Sequence, residues 1–234
     1  MTKRTARVLR QGQRQWVDAG MLRPEDFDEI TFLPPSDPAK ILGLAHNYKS
    51  LVGARERYDE PLFFMKSPTS ACGHKSRVMC SPFGTVWVEV ELAVIIKKEC
   101  RNVSVAEAGD YILGHTIGSD VTAQNIHGRD WHLARSKALD NFAPLGPFLV
   151  TGLDTVDLEV GTRINGRIYQ QGRTSDRIMN DHESVSLLSQ FLTLSPGDVI
   201  LTGTPAGATS SIVRAGDVVT HWIEGIGELE FTIE

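Results

Sequence analysis

From residue 86 to residue 96 the chain first alternates apolar and polar positions and then turns wholly apolar, as Val-Trp-Val-Glu-Val-Glu-Leu-Ala-Val-Ile-Ile. Its β-branched content and period of two predict a strand with Val88, Val90 and Leu92 on one face and Glu89 and Glu91 on the other. Other runs are short and separated by turn signals. Asn165-Gly166, between apolar-rich segments at 158–164 and 167–171, predicts a two-residue β-hairpin. Pro196-Gly197-Asp198 and Ala215-Gly216-Asp217 introduce strands over 199–201 and 218–223, and a last strand is expected over 228–233. Two helices are predicted. One opens on Ser104-Val-Ala-Glu107, a capping-box pattern, and closes at Gly114; the other spans about 183–194, with Val185, Leu188, Phe191 and Leu192 at helical spacing. Many short strands and few helices predict a β-rich α+β domain. Pro34, Pro35 and Pro38 read as a linker, so residues 1–38 are expected to be a small appendage and 39–234 the main domain.

Composition narrows the function classes. With 234 residues the chain is long enough to bury a core without staples. Its 29 acidic residues outnumber 24 basic ones, a net charge of −5 that argues against a dedicated nucleic-acid binder. No apolar run reaches the ~18 to 20 residues a membrane helix needs. Cys72, Cys80 and Cys100 are odd in number and lack CxxC spacing, which predicts a reducing compartment and no disulfide framework. Lys3, Arg4, Arg7, Arg10 and Arg14 give the first fourteen residues the composition of a mitochondrial presequence, but the stretch lacks serine. It is read as a solvated basic terminus of a cytoplasmic protein, with mitochondrial import as the alternative.

Candidate chemistry begins at the two glutamates. A strand entering the core carries them at a depth where carboxylates need a partner, and a divalent cation is an economical one. A third acid, Asp120, ends the strand-like run Gly114-His-Thr-Ile-Gly-Ser-Asp120. Three oxygen ligands without a cysteine or histidine partner favour a hard cation, Mg²⁺ first, then Mn²⁺ or Ca²⁺. Arg135, Lys137 and Asp140 follow in Arg-Ser-Lys-Ala-Leu-Asp, and Thr202-Gly-Thr-Pro-Ala-Gly207 is a small-residue loop with donors for an anion. A lysine beside an anionic site can polarise an enolate or shuttle its proton. His182-Glu183 starts like a zinc-protease motif, but Ser186 stands where the second histidine must be.

Taken in order, these pieces resemble the fumarylacetoacetate hydrolase family. The resemblance is carried by Leu42-Gly-Leu-Ala-His-Asn-Tyr48, Phe64-Met-Lys-Ser-Pro68, Glu89-Val-Glu-Leu-Ala-Val-Ile, Ser-Asp120, Arg-Ser-Lys137 through Pro147, Asn165-Gly166 with Gln170-Gln-Gly-Arg-Thr174, and Leu194-Ser-Pro-Gly-Asp-Val-Ile-Leu-Thr-Gly-Thr-Pro-Ala-Gly207. It implies a mixed β-sandwich roll, a homodimer, and Mg²⁺ or Mn²⁺ held by Glu89, Glu91 and Asp120. It also implies a small 2-oxo or enol dicarboxylic acid as substrate, without nucleic-acid or membrane partners. Lys137 matches the catalytic lysine. Thr204 and its loop, Gly203 included, match the binder of the substrate carboxylate, and Gln170 or Gln171 matches the contact to the oxo group. Arg135, His46 and Asn47 are further candidates for substrate contact.

One departure bears on reaction type. Hydrolases and decarboxylases of that family read Asn-Tyr-x-x-His-x-x-Glu, whereas this chain, counted from Asn47-Tyr48, has Leu51 and Ala54. Neither accepts a proton, so the water-activating pair is missing. An isomerase or tautomerase acting through an enolate, or a decarboxylase needing no activated water, is therefore expected in aromatic-compound breakdown. The alternatives are a C–C hydrolase of an acylpyruvate, with His46 or one of Glu56 and Glu60 as base, and a non-catalytic metal-stabilised binding protein. Arg55 or Arg57 is a candidate clamp for a distal carboxylate.

Overall fold

A computed structural model describes residues 2–53, 62–80 and 84–234. Ala54, Arg55, Glu56, Arg57 and Glu60 lie outside the described residues. Within the described part, strands form sheets of ten, five and three. The largest runs in the order Gln13–Asp18, Lys3–Arg10, Ala143–Thr151, Ile112–Ser119, Val90–Ile96, Val199–Leu201, Ile41–Leu44 and Phe63–Lys66, with Thr31–Phe32 and Ala71–Cys72 pairing off that path. The five-stranded sheet runs Arg167–Arg173, Glu159–Ile164, Val218–Ile223, Gly227–Ile233 and Ser76–Val78.

The two larger sheets bury their facing apolar positions against each other. Val90, Leu92 and Ile117 from one meet Val160, Val219 and Phe231 from the other in a single core. Farther along that same face Leu42, Val94 and Ile96 are covered by Val185 and Leu188 of helix Asp181–Phe191, while on the opposite face Ala93 and Ile95 pack with Leu145 and Leu201. Strand Val90–Ile96 is thus buried on both faces, which is why its sequence turns uniformly apolar after Glu91. The sheet-rich α+β architecture agrees with the expected fold class.

Turn chemistry placed several elements closely. Asn165 and Gly166 take φ of 50° and 80°, and their left-handed pair closes the hairpin as a type I′ turn. Strands Val199–Leu201 and Val218–Ile223 fall where their Pro-Gly-Asp and Ala-Gly-Asp turns put them.

Other expectations need correction. The helix expected over 104–114 is a turn and a 3₁₀ segment, Ala108–Tyr111, followed at once by strand Ile112–Ser119. Its capping pair forms, with Ser104 Oγ donating to Glu107 Oε2 at 2.5 Å, but Gly109 and the β-branched run after it give the residues to the sheet instead. The second helix begins at Asp181, capped by Asn180 with Glu183 closing the box, and ends at Phe191. The strand over 86–96 breaks at Val88 and Glu89, leaving Val86–Trp87 in the small sheet and Val90–Ile96 in the large one. The N-terminal segment is no solvated tail. Lys3–Arg10 pairs with Ala143–Thr151, burying Ala6 and Val8, and Arg7 reaches Asp37 in an ion pair.

Candidate metal and substrate site

The break after Trp87 turns Glu89 inward to meet Glu91, the second residue of strand Val90–Ile96, and Asp120, the residue after strand Ile112–Ser119. One carboxylate oxygen from each lies within 4.8 Å of the other two. Backbone bonding fixes the pairing, because Gly118 is opposite Glu91 and the Asp120 amide donates to Glu89 O at 2.9 Å. Trp87 Nε1 and Thr122 Oγ1 donate to Glu89 Oε1 at 2.7 and 3.2 Å, and the Gly203 amide donates to Glu91 Oε2. Burial, then the neighbouring Asp120 and Glu89 charges, push the Glu91 carboxyl well up, and burial likewise raises Glu89.

Two lysines enter the cluster. Lys137, at the end of the short helix Ala134–Lys137, ion-pairs with Asp120 Oδ2, donates to Thr122 Oγ1 at 2.8 Å, and stands 3.6 Å from Glu89 Oε1. Burial opposes its charge, but Asp120 and Glu89 outweigh burial and hold the ammonium above the ordinary lysine range. Lys66 is fully buried and donates to three backbone carbonyls, Lys137 O at 2.7 Å, Phe142 O at 2.8 Å and Val121 O at 2.9 Å. A neutral amine has only two protons to give, so these bonds require the ammonium form. Its three protons being committed, Lys66 offers Asp120 Oδ1 charge at 2.7 Å without a hydrogen bond, and that oxygen has no donor.

A buried carboxylate oxygen with free lone pairs, beside two further carboxylates that burial disfavours as anions, is a donor set that fits a hard divalent cation. Three carboxylates against two ammonium groups also leave negative charge to be offset. Glu89, Glu91 and Asp120 are the residues that would hold it.

The other sequence candidates divide. Gln170 is buried, its Nε2 donating to Thr204 Oγ1 at 2.9 Å, and with Gly203 it places the 203–204 turn beside the carboxylates. Gly203 needs its φ of 88°, and an added Cβ would meet the Asn47 Cβ at 2.9 Å. Asn47 is a strut, its amide donating to Met179 O and Thr202 O and accepting from Met179 N at 2.8 to 3.0 Å, so both of its amide protons are committed within the protein. Gln171 faces away and donates to Glu159 Oε1 at 3.1 Å, because the hairpin register puts Gln170 opposite Thr162. Arg135 is exposed on the helix that carries Lys137, and His46 is exposed in the turn after Ile41–Leu44. Leu51 lies in the short helix Lys49–Val52.

Lys66, Thr122 and His221 escaped the sequence reading. Lys66 and His221 did leave a signal, since each occupies a core-facing parity of its strand, next to buried Phe64 and Val219 respectively.

Residues 40–234 match the family described as Fumarylacetoacetate (FAA) hydrolase C-terminal. The chain is 34% identical over 220 residues to oxaloacetate tautomerase FAHD2A, mitochondrial, of Homo sapiens, covering 85% of this chain and 68% of that one. It resembles the solved 5-carboxymethyl-2-hydroxymuconate delta-isomerase of Mycobacterium smegmatis at 31% identity and a TM-score of 0.87, over 98% of both chains. The fumarylpyruvate hydrolase of Pseudomonas aeruginosa, solved with Mn²⁺ and pyruvate, is 25% identical with a TM-score of 0.77, covering 87% of this chain and 91% of that one.

Proposed function

The chain belongs to the fumarylacetoacetate hydrolase family, and from that premise we propose that it is a divalent-metal-dependent isomerase or tautomerase of a small 2-oxo dicarboxylic acid. The observation that carries this reading is the position of Lys137. Its Nζ touches the carboxylate triad and, unlike Lys66, is not fully committed to backbone carbonyls. When bound at Glu89, Glu91 and Asp120, a hard cation supplies Lewis-acid stabilisation for negative charge developing on a substrate oxygen. Mg²⁺ and Mn²⁺ both suit all-oxygen donors, and a related hydrolase was solved with Mn²⁺.

The chain's own groups divide the remaining work. Lys137 Nζ, an ammonium in this structure, first gives a proton to the receiving position of the substrate and then, as the neutral amine, takes the proton that leaves the other position, which restores the ammonium. Thr204, on a turn fixed by Gly203 and Gln170, orients the substrate carboxylate. The buried Phe64 ring shields the ammonium from bulk water, Lys137 Nζ sitting 4.5 Å from its centre. Leu51 supplies no base to activate water, which favours proton migration over hydrolysis. Similarity to a tautomerase and an isomerase supports the same side. A homodimeric, cytoplasmic enzyme of aromatic-compound breakdown belongs to the proposal as well.

The test is incubation of the Mg²⁺-loaded protein in D₂O with oxaloacetate, fumarylpyruvate and 2-hydroxyhepta-2,4-diene-1,7-dioate, followed by NMR. Deuterium entry or double-bond migration without cleavage, lost in Lys137→Met, is the expected result. Release of pyruvate with a free acid as the only conversion would make the protein a C–C hydrolase and overturn the reading.

A further inference from the structure

Five buried side chains form a continuous hydrogen-bonded row that begins beside Asp120 and ends at Thr204. Ser119 Oγ lies 2.9 Å from His221 Nε2, His221 Nδ1 lies 2.9 Å from Thr162 Oγ1, Thr162 Oγ1 lies 2.9 Å from Gln170 Oε1, and Gln170 Nε2 lies 2.9 Å from Thr204 Oγ1. All five are at most 2% exposed, so no solvent competes for these bonds. The row follows from strand register. Thr162 is directly opposite Gln170 on one neighbouring strand and His221 on the other, so three inward positions of the five-stranded sheet line up across it. His221 then crosses the core to Ser119 in the ten-stranded sheet.

The direction of every bond is determined by backbone groups at one end. Gln170 Oε1 also accepts from the Val90 amide at 3.3 Å, and its Nε2 also donates to Pro205 O at 3.1 Å. An amide N–H cannot accept and a carbonyl cannot donate, so the Gln170 side chain has one orientation. Thr162 must therefore give its only proton to Gln170 Oε1, which leaves its oxygen as an acceptor. His221 must protonate Nδ1 to supply it, so Nε2 accepts and Ser119 donates. At the far end Thr204 Oγ1 receives a proton from Gln170, which leaves the Thr204 O–H as a donor. Among the described residues no protein acceptor faces that proton.

We propose that His221, Thr162 and Gln170 form a one-way hydrogen-bond wire that presents Thr204 to the substrate as a hydrogen-bond donor, making His221 and Thr162 positioning residues for carboxylate binding. The proposal rests on the reading above in one respect, that the Thr204 turn holds the substrate carboxylate. It adds a reason for that preference and assigns Gln170 a different task from touching the oxo group, since its donors and acceptor are already engaged within the protein. Burial favours the neutral imidazole that the wire needs, pushing His221 down to about 3.

Two measurements test it. Long-range ¹H–¹⁵N correlation on histidine-labelled wild-type protein at pH 7.5 reads the tautomer of His221, assigned by its loss in His221→Gln or by triple-resonance correlation should that variant not fold. Protonated Nδ1 with unprotonated Nε2 is expected. An Nε2–H tautomer or an imidazolium reverses or breaks the wire and overturns the proposal. Calorimetry with oxalate on Mg²⁺-loaded protein is the second. Thr162→Val should weaken oxalate binding about tenfold while Thr162→Ser stays within about twofold of wild type, the size of one lost hydrogen bond. Oxalate binding unchanged in Thr162→Val, or an equal loss of Mg²⁺ affinity, would overturn it. If wild type does not bind oxalate at all, the assigned function fails, and the tautomer still decides the wire.

Discussion

Replacing Lys66 by methionine should cost this protein a large part of its stability, and the structure gives the size. The side chain is fully buried and of nearly the same length as methionine, so the change removes charge and protons while leaving little void. Three backbone carbonyls, Val121 O, Lys137 O and Phe142 O, lose donors at 2.7 to 2.9 Å, and Asp120 loses the positive charge 2.7 Å from Oδ1. Losing one partner of a buried ion pair costs roughly 3–5 kcal/mol because the other charge stays behind. Solvation of the freed ammonium in the unfolded state no longer has to be overcome, so the lower part of that range is the sounder expectation. Against a domain stability of about 5–15 kcal/mol, such a loss moves the urea midpoint by one molar or more at an unchanged slope. The double variant Lys66→Met with Asp120→Asn should recover part of the loss, since no buried anion is then stranded. A loss under about 1 kcal/mol, or a double variant that shows no recovery, would refute the assignment of Lys66 as the counter-charge of Asp120.

Three further outcomes follow from the same geometry. Glu91→Gln should weaken Mn²⁺ binding by about 100-fold or more in calorimetry, because it removes a ligand rather than an outer-shell contact worth about 10–100-fold; equal affinity would exclude Glu91 from the cation site. Gly203→Ala should destabilise by about 1–3 kcal/mol in thermal unfolding, as φ of 88° strains any side chain and the Cβ would meet Asn47; an unchanged Tm would mean the turn relaxes freely. Acid should weaken the fold through two neutral histidines. Burial pushes His74 down to about 4 and His221 to about 3, and His74 Nδ1 accepts from the Glu230 amide. Unfolded, both protonate near 6.5, so the unfolded chain binds more protons below that pH and stability falls as pH drops from about 6.5 towards 4. His221 alone accounts for a loss on the order of 5 kcal/mol across its full window from about 6.5 to about 3, and His221→Gln should flatten the urea-monitored profile; a profile unchanged by that substitution would show that His221 is already protonated in the fold.

How much of this was legible depended on whether the deciding contact was local. Asn165-Gly166 and the Pro-Gly-Asp turn act within a few residues, and the strands beside them lie where the turns put them. The parity of Glu89 and Glu91 is local too, and their convergence with Asp120 needed only that two adjacent strands end together. The parity of Lys66 marks it as inward-facing, but its role was opaque because its partners at 121, 137 and 142 come from elements no spacing rule connects to it. The choice between Gln170 and Gln171 was equally closed, since a bulge between Thr162 and Arg163 resets the parity of the hairpin. The proline cluster at 34–38 does read as a linker, yet a linker says nothing about where the preceding strand docks. Lys3–Arg10 finds its partner some 140 residues later.

The site joins the two kinds of information. Its acids come from one sheet, while the residues that aim the substrate turn, Thr162, Gln170 and His221, come from the other. Gln170 is where they meet, because its carbonyl oxygen accepts from the Val90 amide between the two glutamates and its amide holds Thr204. A displacement of the five-stranded sheet against the ten-stranded one would therefore move the carboxylate-binding turn relative to the cation ligands. Core packing between Val90, Val160 and Phe231 opposes that displacement, so substitutions there should alter substrate affinity before they alter the affinity for Mn²⁺.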